Sequence, residues 1–494
     1  MSLARHKVKS CLMIFAVSWI SAHANGGSML TKELSLPARI DIAEGRELNL
    51  WFDALWPATP PARVTVESDV GLNGERGFRF VPGAGHPGRS FPVTIRVHDE
   101  QARLLALRSF KLYVAPARFA VERKLQLLFI GDSLTHGVPA ECRGMLSGEV
   151  QRLLADAGCQ TLLLGLNDDQ CANRHEGRGG WSFHSFTTPD DKAYRFSVAG
   201  VVRPPVVFSA YRHADVTYRV QSRYLVPALI GRADGVMMCS IRPADNPGVD
   251  FSKPAVPCPT GILIRVDSAA ENPGDAAINF TSVEYPVIAN PFWDESPNAG
   301  RGGLNFRKYM KNHGNFGGED RIDFAFIQLG VNDCMGVAMR KSEEQRRGQL
   351  DAILEQCRAL VRGIQDPDAG YPDCRVVLAL TPIGCNSPVA YERSYGAQGV
   401  TMALYESAVR ELWIRLIHEF DHSPEWPLVR ISINGLMTDR DRSYPKKEEV
   451  INGVPNMVHC NAVHPGAAGY RQCADAFYSV LCGWLEEDYR KAKP

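Results

Sequence analysis

"LLFIGDSLTHG", residues 127–137, carries an apolar run into Gly131, Asp132 and Ser133. A continuous apolar run ended by glycine suits a strand buried on both faces, as in a parallel sheet. The polar break then marks a strand-to-helix corner. Two readings of Ser133 compete there. Its hydroxyl either caps the next helix by accepting an orphan N–H, or is a nucleophile exposed at the strand end. The stretch alone does not choose between them.

From residue 124 onward, strand and helix signals alternate. "LQLLFIG" is followed by "MLSGEVQRLLADAG", a helical pattern closed by Gly158, and then by "TLLLGL". Much later come "IDFAFIQLG" and a helix near 343–364, with Leu350, Ile353, Leu354, Cys357, Leu360, Val361 and Ile364 on one side. "RVVLALTP", a helix around 400–420, "PLVRISI" and a last helix from about 466 to 488 complete the series. The pattern predicts an α/β fold with a five-stranded parallel sheet covered by helices on both faces.

Two segments depart from that rhythm. Residues 25–118 hold short alternating runs such as "ARVTVES" and "FPVTIRVHD" between Pro and Gly, which predicts a β-sandwich accessory domain. Residues 187–286, with "YRFSVAGVV", "VMMCSI" and "AINFTSVEY", read as an inserted β-rich domain. The α/β domain is therefore expected to be discontinuous, over 119–186 and 287–494. Residues 1–24 read as a signal peptide. Arg5, Lys7 and Lys9 precede an apolar stretch from Cys11 to Ile20, and Ala22-His23-Ala24 supplies a small-x-small cleavage pattern. The apolar run is too short to span a bilayer. Export to a periplasmic or secreted location is the expectation.

Composition narrows the partners. The chain has 494 residues, with Lys plus Arg and Asp plus Glu balanced at 55 each. No block of like charge stands out, which argues against nucleic acid or an anionic membrane as the main partner. Thirteen cysteines include Cys11 in the leader, leaving an even number after it. In an oxidising compartment several would pair, and Cys239 with Cys258 and Cys460 with Cys473 are candidates by proximity. No CxxC or Cys/His cluster has zinc-ligand spacing.

In an open parallel sheet, ligands sit beyond the carboxyl ends of the strands. Ser133 lies at the first such end, where a helix dipole would favour developing negative charge. "HEGRGGWSFHSF" follows the second strand, with Gly179 and Gly180 able to bring a backbone N–H close to a ligand. "QLGVNDC" follows the third and offers the Asn332 amide as a donor, while "CNAVHPGAAGY" precedes the last helix and offers His464 as a base. Each piece also has a plain structural reading: a turn, a helix cap, a loop histidine. Trp181, Phe183, Phe186, Phe292 and Trp293 flank the insertion and suit either a sugar platform or core packing.

Together, "GDSL" at 131–134, Gly180 in "GGWS", "GVND" at 330–333 and "VHP" at 463–465 resemble the blocks of the SGNH, or GDSL, hydrolase superfamily of esterases and lipases. The resemblance covers about 124–186 and 287–490. It implies a flavodoxin-like three-layer α/β/α fold, Ser133 as nucleophile and His464 as base. It also implies an oxyanion hole from the Ser133 and Gly180 N–H groups and the Asn332 side chain, with no metal or organic cofactor. No G-x-S-x-G stretch occurs, so the α/β-hydrolase elbow is not in play. One departure stands out. The family usually has Asp three residues before the His, and this chain has Asn461. Asn461 could accept the Nδ1–H bond without supplying charge, and nothing in the spacing places Asp132 or Asp333 on His464. The function implied is an exported serine esterase removing acyl groups, acetyl above all, from a carbohydrate or polysaccharide. Its rivals are a lipase or lysophospholipase for longer chains, and a non-catalytic carbohydrate-binding protein on a degenerate scaffold.

Overall fold

A computed structural model of the chain describes residues 34–57, 62–118, 124–167, 173–188, 290–294 and 302–492, and strand segments within 189–289. The expected signal peptide lies outside the described residues, as does Cys258 and with it the Cys239–Cys258 pairing. No helix among the described residues is long and apolar enough to cross a membrane.

The apolar stretch that opens the α/β region forms strand β1 (Leu125–Gly131), buried at every position. Strands β2 (Thr161–Leu164), β3 (Glu176–Gly177), β4 (Phe324–Gln328), β5 (Arg375–Ala379) and β6 (Val429–Ser432) join it, all parallel. β2 pairs with residues 125–128 of β1, and β3 with Ile130 and Gly131, so the two short strands share one edge. The sheet thus has five strand positions, in the order β2/β3, β1, β4, β5, β6. The chain order reverses between β1 and β4, and such a switch point is where doubly wound sheets open a crevice for ligands.

Because side chains alternate across a strand, β1 feeds two cores. Leu125, Leu127 and Phe129 pack with helices α2 (Met145–Asp156) and α6 (Ala467–Ala492). Leu128 and Ile130 join the core shared by α3 (Val331–Ala338), α4 (Glu343–Ile364) and α5 (Met402–Phe420). Helices on both faces make three layers. Each large apolar side chain so buried contributes about 1.5–3 kcal/mol relative to exposure.

Residues 39–115 form two small sheets. One has the order Arg39–Ala43, Leu104–Ala115, Ser90–His98, Arg63–Ser68, and the other Leu48–Trp51, Gly77–Phe80, Leu72–Asn73. Alternation sets the buried face, as in Phe91, Val93, Ile95 and Val97. That apolar face is continuous with the core of α3, α4 and α5. Between β3 and β4, seven strands from Lys192–Ala199 to Ala276–Ile288 pair antiparallel in one sheet.

The cysteine expectation needs correction. Cys460 and Cys473 do not pair: Cys460 is exposed and donates to the Pro445 carbonyl, while Cys473 is buried in α6 beside Thr438. Among the described residues nine cysteines are free, eight of them buried. Buried thiols of this kind behave as small apolar side chains.

Candidate active site

The corner after β1 separates the two roles proposed for Ser133. Gly131 is required because a Cβ there would stand 2.0 Å from Thr135 Oγ1 and 2.5 Å from the Gln328 carbonyl oxygen. Asp132 then caps α1 (Ser133–His136), its carboxylate accepting the Leu134 N–H at 2.8 Å. The cap is therefore Asp132, and the Ser133 hydroxyl is left for another partner. Ser133 is 8% exposed, and its Oγ lies 2.8 Å from His464 Nε2. α1 is a single turn, so it supplies little of the macrodipole expected at Ser133.

His464 sits in the loop that leads into α6. Asn461 Oδ1 accepts the backbone N–H groups of Val463 and His464, at 3.2 and 3.0 Å. These two donors fix which end of the amide faces the ring. Oδ1 can only accept, so the imidazole proton belongs on Nδ1, 3.3 Å away. Nε2 then carries its lone pair toward the Ser133 hydroxyl. Burial of the imidazole lowers its pKa from the ordinary 6.5 to about 4.

A carboxylate at 461 would act on both properties. In Asn461→Asp the negative charge favours imidazolium, raising the His464 pKa by about 1–3 pH units. With His464 acting as a base its neutral form would be the competent one, so the wild-type rate should fall only as pH drops through about 4. In the variant that acid limb should move upward, and kcat at pH 8 should rise about tenfold, since a charge-assisted bond stabilises the imidazolium formed in attack. A pH–rate profile of both proteins checks this. An unchanged limb and rate would mean that a different group orients His464.

Asn332 and Asp333 act on the loop after β3. They occupy the first turn of α3, beyond β4, whose Gln328 pairs with Gly131. Asn332 Nδ2 donates to the Trp181 carbonyl at 2.8 Å, and the Asp333 carboxylate accepts the Phe183 N–H at 3.2 Å. Consecutive side chains thus hold the stretch that begins at Gly180, whose φ of +80° is a glycine conformation. Burial pushes the Asp132 and Asp333 carboxyls up to about 7, and for Asp132 the nearby Asp333 adds to it. Both serve the corner and the loop, while the Nδ1 side of His464 meets Asn461.

The root of that loop is fixed by residues the motifs did not reveal. Glu176 is fully buried and accepts from Tyr309 Oη at 2.7 Å, the Leu166 N–H at 2.8 Å and Arg178 Nη2 at 2.7 Å. Glu176 and Arg178, two apart on an extended segment, share a face and could be paired from spacing alone. Tyr309 could not. Among the flanking aromatics, Phe183, Phe186 and Phe292 are core residues. Trp181 is half-buried against the same core, with the Arg178 guanidinium 4.9 Å from its ring and Phe186 tilted at 4.7 Å. Trp293 is half-buried. Among the described residues no cluster of three His, Cys, Asp or Glu side chains could hold a metal ion.

Neither a protein-family model nor a curated protein sequence matches this chain. Among solved structures, the chain is similar to a Clostridium thermocellum family 3 carbohydrate esterase, at 11% identity and a TM-score of 0.31, over 74% of this chain and 98% of that one.

Proposed function

We propose that the protein is a serine ester hydrolase that removes acyl groups, acetyl first among them, from a carbohydrate. One observation carries the reading: Ser133 Oγ stands 2.8 Å from His464 Nε2, on an imidazole whose other nitrogen is held as a donor by Asn461. A hydroxyl against a correctly protonated base is the arrangement needed for nucleophilic attack. Ser133 Oγ adds to the ester carbonyl as its proton passes to Nε2. The oxyanion is assigned to the Ser133 and Gly180 N–H groups and the Asn332 amide. The tetrahedral species expels the alcohol, which takes the proton from His464. Water, deprotonated in turn by His464, releases the acid and restores Ser133.

The carbohydrate acceptor is supported by the sequence resemblance and by the expected export. A longer-chain reading is favoured by one feature. The hairpin Lys446–Ile451 and Val454–His459, which leads into Asn461, exposes Val450, Ile451, Val454 and Met457. Purified protein assayed on p-nitrophenyl acetate and octanoate, and for acetate release from acetylated xylan, mannan, pectin and peptidoglycan, tests both. Acetyl preference with acetate release from one polymer is expected. A strong preference for octanoate would replace the acetyl-esterase reading with the lipase one.

A further inference from the structure

The loop carrying His464 is anchored at two backbone points. The Ala462 carbonyl accepts the Cys385 N–H at 2.8 Å, and the Gly466 N–H donates to the Ser443 carbonyl at 2.8 Å. Both supports converge on one buried side chain, Arg440, which is 3% exposed. Its Nε donates to the Gly384 carbonyl at 3.1 Å and its Nη2 to the Cys385 carbonyl at 3.2 Å. The Arg440 carbonyl in turn accepts the Asn386 N–H at 3.3 Å. Three residues on, its own stretch supplies Ser443. Asp439 caps that turn, accepting the Asp441 and Arg442 N–H groups at 3.0 and 3.2 Å.

The same guanidinium reaches the N-terminal segment. Nη1 donates to the Asp53 carbonyl at 2.9 Å, and Nη2 also pairs with Glu406 of α5. Glu406 is shared with Arg410, whose Nη2 and Nε hold the Asp53 and Ala54 carbonyls at 2.8 and 3.2 Å. Outside this cluster, Trp51 Nε1 donates to the Met437 carbonyl at 2.9 Å, and Arg76 pairs with Asp439 at 2.7 Å. A planar fork that satisfies three carbonyls and a carboxylate has no equivalent among other side chains.

We infer that Arg440 is a positioning residue for His464, and that the N-terminal segment braces the base at Asp53 through Arg440 and at Arg76 through Asp439, rather than forming a detached binding module. The inference rests on the Ser133–His464 reading. A buried ion cluster with a purely architectural role would lower stability and leave turnover alone. A positioning role predicts that folded variants lose turnover.

The full chain is compared with Arg440→Met, Arg440→Lys, Glu406→Gln and Ser133→Ala on p-nitrophenyl acetate. Arg440→Met should lower kcat about 10- to 100-fold with KM within about twofold, the scale of misplacing a catalytic group by an ångström or less. Arg440→Lys should recover part of that loss. The acid limb of the rate profile should also rise, because a loosened loop rehydrates the imidazole. Glu406→Gln keeps the shape of the cluster and decides the matter if Arg440→Met does not fold. It should move the same limb in the same direction, with a smaller loss of kcat. Folded variants with lower melting temperatures but unchanged kcat and acid limb would overturn the inference while leaving the Ser133–His464 reading intact. Activity retained in Ser133→Ala would remove that reading and the inference with it.

Discussion

Ser133→Ala is expected to reduce kcat by about 10⁴-fold or more, and His464→Ala by a similar factor, as for hydroxyl–imidazole pairs that act as a unit. The double variant should be little worse than either single one. The reason is geometric. Among the described residues the 2.8 Å bond from Ser133 Oγ to His464 Nε2 gives the hydroxyl proton its base, so in the proposed reaction removing one partner makes the other useless. Neither change should unfold the chain. The Ser133 side chain is not the cap of α1, a role that Asp132 performs, and the His464 loop keeps its backbone bonds through Ala462 and Gly466. Initial rates on p-nitrophenyl acetate, with melting temperatures of all three variants, measure this. Multiplicative losses in the double variant would mean independent roles. A Ser133→Ala protein with a tenth of the wild-type rate would exclude Ser133 as nucleophile.

Much of this was legible because a parallel sheet obeys strong rules. The apolar run before Gly131 suits a strand buried on both faces, and ligands in such sheets sit where the strand order reverses. Ser133, Gly180, Asn332 and His464 are the residues that the loops at those strand ends offer, and of these Ser133 and His464 are in hydrogen-bond contact. The missing parts depend on partners remote in sequence. β3 is two residues long, one of them glycine, and is a strand only because Ile130 and Gly131 pair with it. Arg39–Ala43 places Asp41 in a buried strand, which Arg39 and Arg430 make tolerable. Glu176 meets Tyr309 across a sequence separation of 133. Cys460 and Cys473 are near in sequence, yet one ends an exposed hairpin and the other lies inside α6, and disulfides answer to Cβ geometry, not spacing.

Asn332→Ala should lower kcat about 10²–10³-fold, the usual loss for one oxyanion donor. One amide hydrogen of Asn332 is committed to the Trp181 carbonyl at 2.8 Å, which fixes the side chain before substrate arrives. The second hydrogen is the one assigned to the oxyanion. Because the amide is held in place, little reorganisation is needed as charge develops, and that is what makes such a donor effective. The rival role is that of a pin for the Gly180 loop. The two roles differ in which constant moves. Loss of a donor felt only in the transition state lowers kcat and kcat/KM together, with KM nearly constant. Loss of a pin lets the 180–183 stretch shift, and Asp333, still holding the Phe183 N–H, limits that shift. Asn332→Asp sharpens the contrast, since it keeps the size of the side chain but places an acceptor and negative charge where the oxyanion forms. It should be at least as damaging as Ala. A kcat within twofold of wild type in Asn332→Ala would remove Asn332 from the oxyanion site and leave the backbone N–H groups of Ser133 and Gly180 to serve it alone.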